Sequence, residues 1–247
     1  MLISGEKPSQ VAVVTGAASG IGRAVADAFA ASGVLPLRWD IEHSDHVDDV
    51  VDVTDRGAVD AAFGKAEKRY GTIPIVVHAA GVIESGPATD ITDAVWERCM
   101  RVNATGTMHV TQRAVAAMPP EGGAITVVSS NAATTPRFGM AAYAASKAAA
   151  SAFVRSLGLE VAGRGIRCNI VSPGSTDTPM LRALWNGADR LDATIEGDPA
   201  QFRLGIPLGR VATASDIAAT VLFLSSDASR HITLHDLRVD GGASLDQ

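Results

Sequence analysis

The run VAVVTGAASGIG at positions 11–22 constrains this chain more than any other stretch. Four apolar residues read as a buried strand, and Gly16, Gly20 and Gly22 follow where the backbone must turn tightly and open a helix. The free N–H groups of such a helix start are placed to meet a pyrophosphate, so the run predicts a dinucleotide site at the head of a parallel sheet. Alone, a glycine-rich turn also serves ordinary strand-to-helix junctions.

The rest of the chain repeats the same alternation. Apolar, strand-like runs lie at 11–14, 34–38, 49–51, 73–77, 124–128, 167–171 and 237–239. Helical periodicity falls between them, near 22–31, 55–70, 92–118, 142–162 and 215–224. This pattern predicts an α/β doubly wound parallel sheet of the Rossmann type, in one domain spanning 1–247. Pro36 sits awkwardly in the second strand because it has no ladder donor, so that strand is expected to be short, irregular or unpaired there. The segment 175–205 breaks the alternation directly after the sixth strand, where ligands bind in open α/β sheets, and is a candidate substrate lid.

Composition narrows the function. A hydrophobic share of 47% with 19% charged residues describes a packed interior. With 21 Lys and Arg against 27 Asp and Glu, the net charge is −6 and there is no basic stripe for a nucleic acid. Cys99 and Cys168 lack ligand spacing and read as reduced, buried thiols. His43, Asp45, His46, Asp48 and Asp49 lie in a short polar connection that reads as solvated loop, so no metal is expected. The opening MLISGEKPSQ has no secretory pattern and no run approaches a bilayer span, which predicts a cytoplasmic protein with no membrane partner.

A second signal concerns chemistry. Tyr143 and Lys147 are four residues apart in a helix-forming run, and Ser130 lies thirteen positions before the tyrosine. Spacing of four shares a helix face, where an ammonium beside a phenol favours the phenolate, a base. Asp40 ends the second strand eighteen positions after Gly22, the place of an acid that accepts hydrogen bonds from an adenosine ribose. It predicts NAD rather than NADP, with Arg38 the dissenting cation, read as set too far back. Asp52 is a candidate for an adenine amino group. HAAG, from His78 through Ala79 and Ala80 to Gly81, offers small residues to the cofactor or simply a tight turn. Asn103, in the predicted 92–118 helix, is either a surface residue or a buried group that holds a water.

TGAASGIG, HAAG, Asn103, Ser130, YAASK and the PG of VSPG together resemble the short-chain dehydrogenase/reductase family across essentially the whole chain. The resemblance implies a doubly wound sheet of about seven strands. It implies a catalytic tetrad in which Tyr143 is the acid/base, Lys147 binds the nicotinamide ribose, Ser130 orients the substrate oxygen and Asn103 anchors a proton-relay water. It extends the NAD site to Ser19, Ile21, Val53, Pro173, Gly174 and Thr176, and it implies a homotetramer built on the helices at 92–118 and 142–162. His78 departs from the family, which usually has Asn there to brace the sheet.

TPRFGMAAYAASKAA, RCNIVSPGSTDTPM, LRALW, FRLGIPLGR and HITLHDLRVDGG resemble more narrowly those members that oxidise a dihydroxy-cyclohexadiene carboxylate to the catechol acid of siderophores. The partner so implied is a small aromatic-precursor carboxylate. Arg137, between Ser130 and Tyr143, suits a bidentate grip on that carboxylate. Met140, Met180, Leu181, Leu184 and Trp185 suit the walls of a flat ring. The same chemistry on an amino-substituted ring, or a non-catalytic NAD-binding scaffold, are the alternatives.

Overall fold

The structure, a computed structural model, describes residues 10–185, 187 and 189–245; positions 1–9 and 246–247, and positions 186 and 188 of the 175–205 segment, lie outside them. The strands are β1 Val11–Thr15, β2 Leu35–Asp40, β3 Asp49–Val50, β4 Ile75–His78, β5 Gly123–Val128, β6 Ile166–Pro173, β7 Thr176–Asp177, β8 Ala212–Thr213 and β9 Asp236–Val239. The helices are α1 Gly20–Ala31, α2 Arg56–Tyr70, α3 Asp93–Cys99, α4 Gly106–Ala117, α5 Ala141–Val161, α6 Pro179–Ala183, α7 Leu191–Glu196 and α8 Ala214–Ser225.

Seven strands form one parallel sheet in the order β3-β2-β1-β4-β5-β6-β9. Burial on both faces explains why the strands read as continuous apolar runs rather than alternating ones. On β1, Ala12 and Val14 pack with α1 and α8 residues such as Phe29 and Val221. Val11 and Val13 face the opposite layer, with Phe63 of α2, Val110 of α4 and Val154 of α5. In that layer Trp39 meets Phe63 edge-on, with centroids 4.9 Å apart and planes at 88°. Such a pair contributes about 0.5–1.5 kcal/mol beyond its burial. The order reverses between β1 and β4, which opens a crevice at their carboxyl ends.

Pro36 does not disrupt β2 as expected. It pairs in register with Ala12 of β1. The Leu35 N–H points to the β1 side, onto the Gln10 carbonyl, and alternation turns position 36 to the other side. There β3 begins opposite Trp39, so no ladder acceptor stands across from the missing donor.

The predicted continuous helix at 92–118 is also corrected. Between α3 and α4 the backbone widens into a π-helical segment, Met100–Thr105, with Asn103 buried in it. One extra residue per turn rotates a side chain off its α-helical bearing, a change that sequence periodicity does not register.

Candidate active site

Two glycines show why the first turn tolerates nothing larger. A Cβ on Gly16, whose φ is +70°, would lie 2.7 Å from Ala80 N, and one on Gly22 would lie 2.1 Å from the Gly16 carbonyl oxygen. The turn is therefore pressed against the end of β4 on one side and the start of α1 on the other. Ser19 caps α1 in an extended conformation without spending its side chain on the helix amides, so those donors remain available to an anion.

Asp40 lines the cavity beyond the glycine turn. Its Oδ2 accepts from Ala18 N at 2.9 Å and its Oδ1 from Glu42 N at 3.1 Å, which holds the carboxylate at the cavity edge. Arg38 turns away: its guanidinium donates to Asp27 of α1 at 2.8 Å. Asp52 spends one oxygen on Thr54 N. The tempting His/Asp connection is dispersed, with His43, Asp45 and His46 exposed, Asp48 accepting from Arg38 N and Asp49 paired with Lys65.

At the far end of the crevice α5 presents Tyr143 and Lys147, both buried. Lys147 Nζ donates to the Val128 carbonyl at 2.9 Å and lies 5.9 Å from the Tyr143 ring centre. Burial lowers the Lys147 ammonium to about 8. Burial raises Tyr143 above the ordinary phenol range, against a hydrogen bond from Ser130 that lowers it. The expectation that Lys147 by itself favours the phenolate is therefore not met in the protein alone, because desolvation of the phenolate is the largest effect. Ser130 also accepts from Ala132 N at 3.1 Å, which fixes the turn that carries it.

Asn103 is neither on the surface nor on the cavity wall. Its carboxamide pairs with both backbone groups of Val82, accepting from N at 2.8 Å and donating to O at 2.9 Å. It also donates to Ser146 Oγ at 2.9 Å, and Ser146 donates to the Tyr143 carbonyl at 2.7 Å. The side chain thus clamps the segment after β4 to α5, while the backbone carbonyl takes the Thr107 hydroxyl at 2.6 Å.

A single cavity of about 650 Å³ connects the glycine turn, Asp40, Asp52 and Val53, and Ala79 to Gly81, to Ser130, Tyr143 and Lys147. Pro173, Gly174 and Thr176 line it beyond β6, and Arg137, Met140 and Met180 line its outer half. The predicted cofactor positions, with Ser130, Arg137, Met140, Tyr143 and Met180 of the predicted substrate positions, lie on this wall. Leu181 and Leu184 join them, but Trp185 does not. The residues present fit a dinucleotide: a steric cradle at Gly16, uncommitted helix amides at Ser19, and an acid at the ribose end.

A family model described as enoyl-(acyl carrier protein) reductase matches residues 16–244. The chain belongs to the short-chain dehydrogenase/reductase family. Within this family it is 43% identical to the 2,3-dihydro-2,3-dihydroxybenzoate dehydrogenase of Escherichia coli (strain K12), covering 94% of this chain and 96% of that one. It is 42% identical to the enzyme of the same name from Bacillus subtilis (strain 168), covering 96% of each. Among solved structures, the ligand-free aldohexose dehydrogenase of Thermoplasma acidophilum superimposes with a TM-score of 0.88 at 29% identity, covering 96% of this chain and 95% of that one.

Short-chain dehydrogenase/reductase motifs pointed to the inner half of the cavity and left parts of the outer half unread. Arg203 and Gln201 line it from the segment after β6. A network from the chain's end holds the active-site loop: Asn131 donates to Asp240 at 3.0 Å and to Ser244 at 3.1 Å, and Arg137 donates to Ser244 at 2.9 Å. No local spacing announces these bonds; only Arg203, a cation set between Phe202 and Leu204 in FRLGIPLGR, leaves a signal in the sequence. No helix among the described residues is long and apolar enough to cross a membrane.

Proposed function

We propose that this chain oxidises 2,3-dihydro-2,3-dihydroxybenzoate to 2,3-dihydroxybenzoate with NAD+, the step that yields the catechol acid of siderophores. The observation that carries the reading is the shared wall of one cavity, with Tyr143, Lys147 and Ser130 at its inner end and Arg137 at its outer end. Arg137 makes no ion pair with a carboxylate among the described residues, so its charge is available to a ring acid. The two relatives carrying this enzyme's name support the substrate.

Ser130 holds the reacting ring oxygen. Tyr143 accepts its proton, and Lys147, 5.9 Å from the Tyr143 ring centre, would hold the ribose hydroxyls of a bound cofactor. NAD+, when bound in this cavity, would supply the acceptor for the hydride that leaves the carbon bearing that oxygen. The resulting ring ketone tautomerises to the phenol, and aromatisation makes oxidation the favoured direction. Asp40 supports NAD: its carboxylate suits ribose hydroxyls and repels a 2'-phosphate, while Arg38 is committed to Asp27. Segment 175–205 acts as the lid, based on the short parallel pairing of β7 with β8, with the base packed near the glycine turn, where Thr178 would lie 3.3 Å from a Cβ on Gly20.

The decisive assay is NADH formation with a panel of trans-2,3-dihydro ring acids that includes 2-hydroxy and 2-amino members. Turnover of the diol acid above all others is expected. Preference for the amino acid would replace the substrate, and tight NAD binding without turnover of any member would leave a non-catalytic scaffold.

A further inference from the structure

Among the described residues, Arg203 stands in the cavity wall without a partner. It lines the same space as Ser130, Met140 and Tyr143, and its guanidinium makes neither an ion pair nor a hydrogen bond among the described residues. The nearest acid in sequence, Asp198, is turned to its own loop, where it accepts from Ala200 N at 3.0 Å.

The backbone that carries Arg203 is tightly determined. Asp198 N donates to the Arg203 carbonyl at 3.0 Å, Arg203 N returns a bond to Asp198 at 2.9 Å, and Ile206 N donates to Ile195 at 2.8 Å. Gly197 and Gly205 let the two arms touch: a Cβ on Gly197 would lie 2.4 Å from Gly205 N, and one on Gly205 would lie 2.5 Å from the Ile195 carbonyl oxygen. Phe202, at the tip, takes a left-handed φ of 54° and is 92% exposed. That unusual turn sends the apolar ring to solvent and leaves the next residue on the cavity side.

Arg137 lines the same cavity from the loop before α5, tethered through Ser244. Burial, and after it the Arg203 charge, disfavours its ionised form, Asp240 opposes them, and Arg238 adds a smaller effect on the side of Arg203. Two guanidiniums therefore face one space with only partial compensation. We propose that Arg203 is the second carboxylate ligand of this site, with Arg137 holding the ring acid from the active-site loop and Arg203 from the 195–206 hairpin. A carboxylate between them cancels their repulsion and ties the hairpin over the ring; a neutral ring does neither. This inference rests on the reading of the substrate as a ring acid.

The test compares wild type with Arg203→Gln, Arg203→Lys and Arg137→Leu. For each, kcat/KM is measured with the diol acid and with a cyclohexenol lacking the carboxylate, and binding of benzoate and benzamide is measured as inhibition; NADH fluorescence titration reports the fold. Arg203→Gln is expected to reduce the acid-over-neutral ratio of kcat/KM, and benzoate affinity, by about tenfold to a hundredfold, the range of a hydrogen bond to a charged group. Arg203→Lys should recover part of it, since an ammonium restores charge without the planar fork. If wild type prefers the acid and Arg137→Leu removes that preference while Arg203→Gln leaves the ratio unchanged, Arg203 is not a ligand and the ring-acid reading stands. If wild type itself does not distinguish benzoate from benzamide or the acid from the neutral alcohol, the ring-acid reading fails and this inference falls with it.

Discussion

The Thr15 hydroxyl lies 2.9 Å from His78 Nδ1, across the paired ends of β1 and β4. Thr15 Oγ1 also accepts from Ala79 N and Ala80 N, each at 3.2 Å. With both lone pairs engaged, it donates its proton to Nδ1, so the hydrogen of the neutral ring sits on Nε2. Nε2 is buried without a hydrogen-bond partner among the described residues, and burial, with Lys147 nearby, lowers His78 to about 3.

A pH dependence of stability follows. Below pH 6.5 the unfolded chain protonates this imidazole while the folded chain refuses the proton until about 3. The unfolded state then binds more protons, so stability falls as pH falls through that window, by up to about 1.4 kcal/mol per pH unit. Urea unfolding at pH 7.5 and 5.5 should show wild type losing about 1.4 kcal/mol more than His78→Asn. Equal losses would mean that His78 does not titrate on unfolding.

Tyr143→Phe should retain the fold and NADH binding and lose about a hundredfold to ten-thousandfold in kcat, the range for a positioned acid–base group. Lys147→Ala should weaken cofactor binding as well. Because burial holds Tyr143 above the ordinary phenol range, the phenolate fraction, and with it the oxidation rate, should still be rising with pH at 9 rather than levelling off near neutrality. Near-normal turnover by the Phe variant would remove Tyr143 from the mechanism.

Asp40→Ser should narrow the NAD-over-NADP ratio of kcat/KM by roughly tenfold to a hundredfold, since one carboxylate supplies both the ribose contact and the repulsion of a 2'-phosphate. Stopped-time NADH and NADPH assays give the ratio directly. If it does not move, another residue reads the ribose.

A homotetramer is the expected assembly. Along α5, Ala144, Ala145, Ala148 and Ala149 remain half-exposed and Ala152 is exposed, so monomer burial does not account for this small-residue face. Trp96 of α3 and Leu159 of α5 are 45% and 71% exposed. Light scattering of wild type should give four copies, and Ala152→Glu should give a smaller species. A wild-type monomer at working concentration would reject the assembly.

The inner half of the site was legible because each of its parts is local. A strand, a turn of small residues and a helix start are neighbours in sequence, so Gly16, Gly20 and Gly22 state their geometry by spacing. Tyr143 and Lys147 share a face by helix pitch, and Asp40 ends a strand whose length the apolar run reveals. Alternating periodicities disclosed the layers for the same reason, since both periods are properties of a few consecutive residues.

What spacing does not encode is which distant groups meet. Pro36 reads as a disruption until the shortness of β3 shows that no acceptor stands opposite it. Asn103 reads from spacing alone as either a surface residue or a buried group that holds a water, until a π-helical turn aims it at Val82 and Ser146. The phenolate expected at Tyr143 from its neighbour Lys147 is opposed by burial, which depends on everything packed around the ring. Arg203 and Arg137, 66 positions apart in sequence, line one cavity only because the fold brings a glycine-tight hairpin and the loop before α5 to the same space. Local sequence determined the strands, the turns and the chemistry carried within one helix; the charge balance of the pocket and the state of its titratable groups were decided by contacts between segments far apart in the chain, which only the folded packing brings within hydrogen-bonding and Coulombic range.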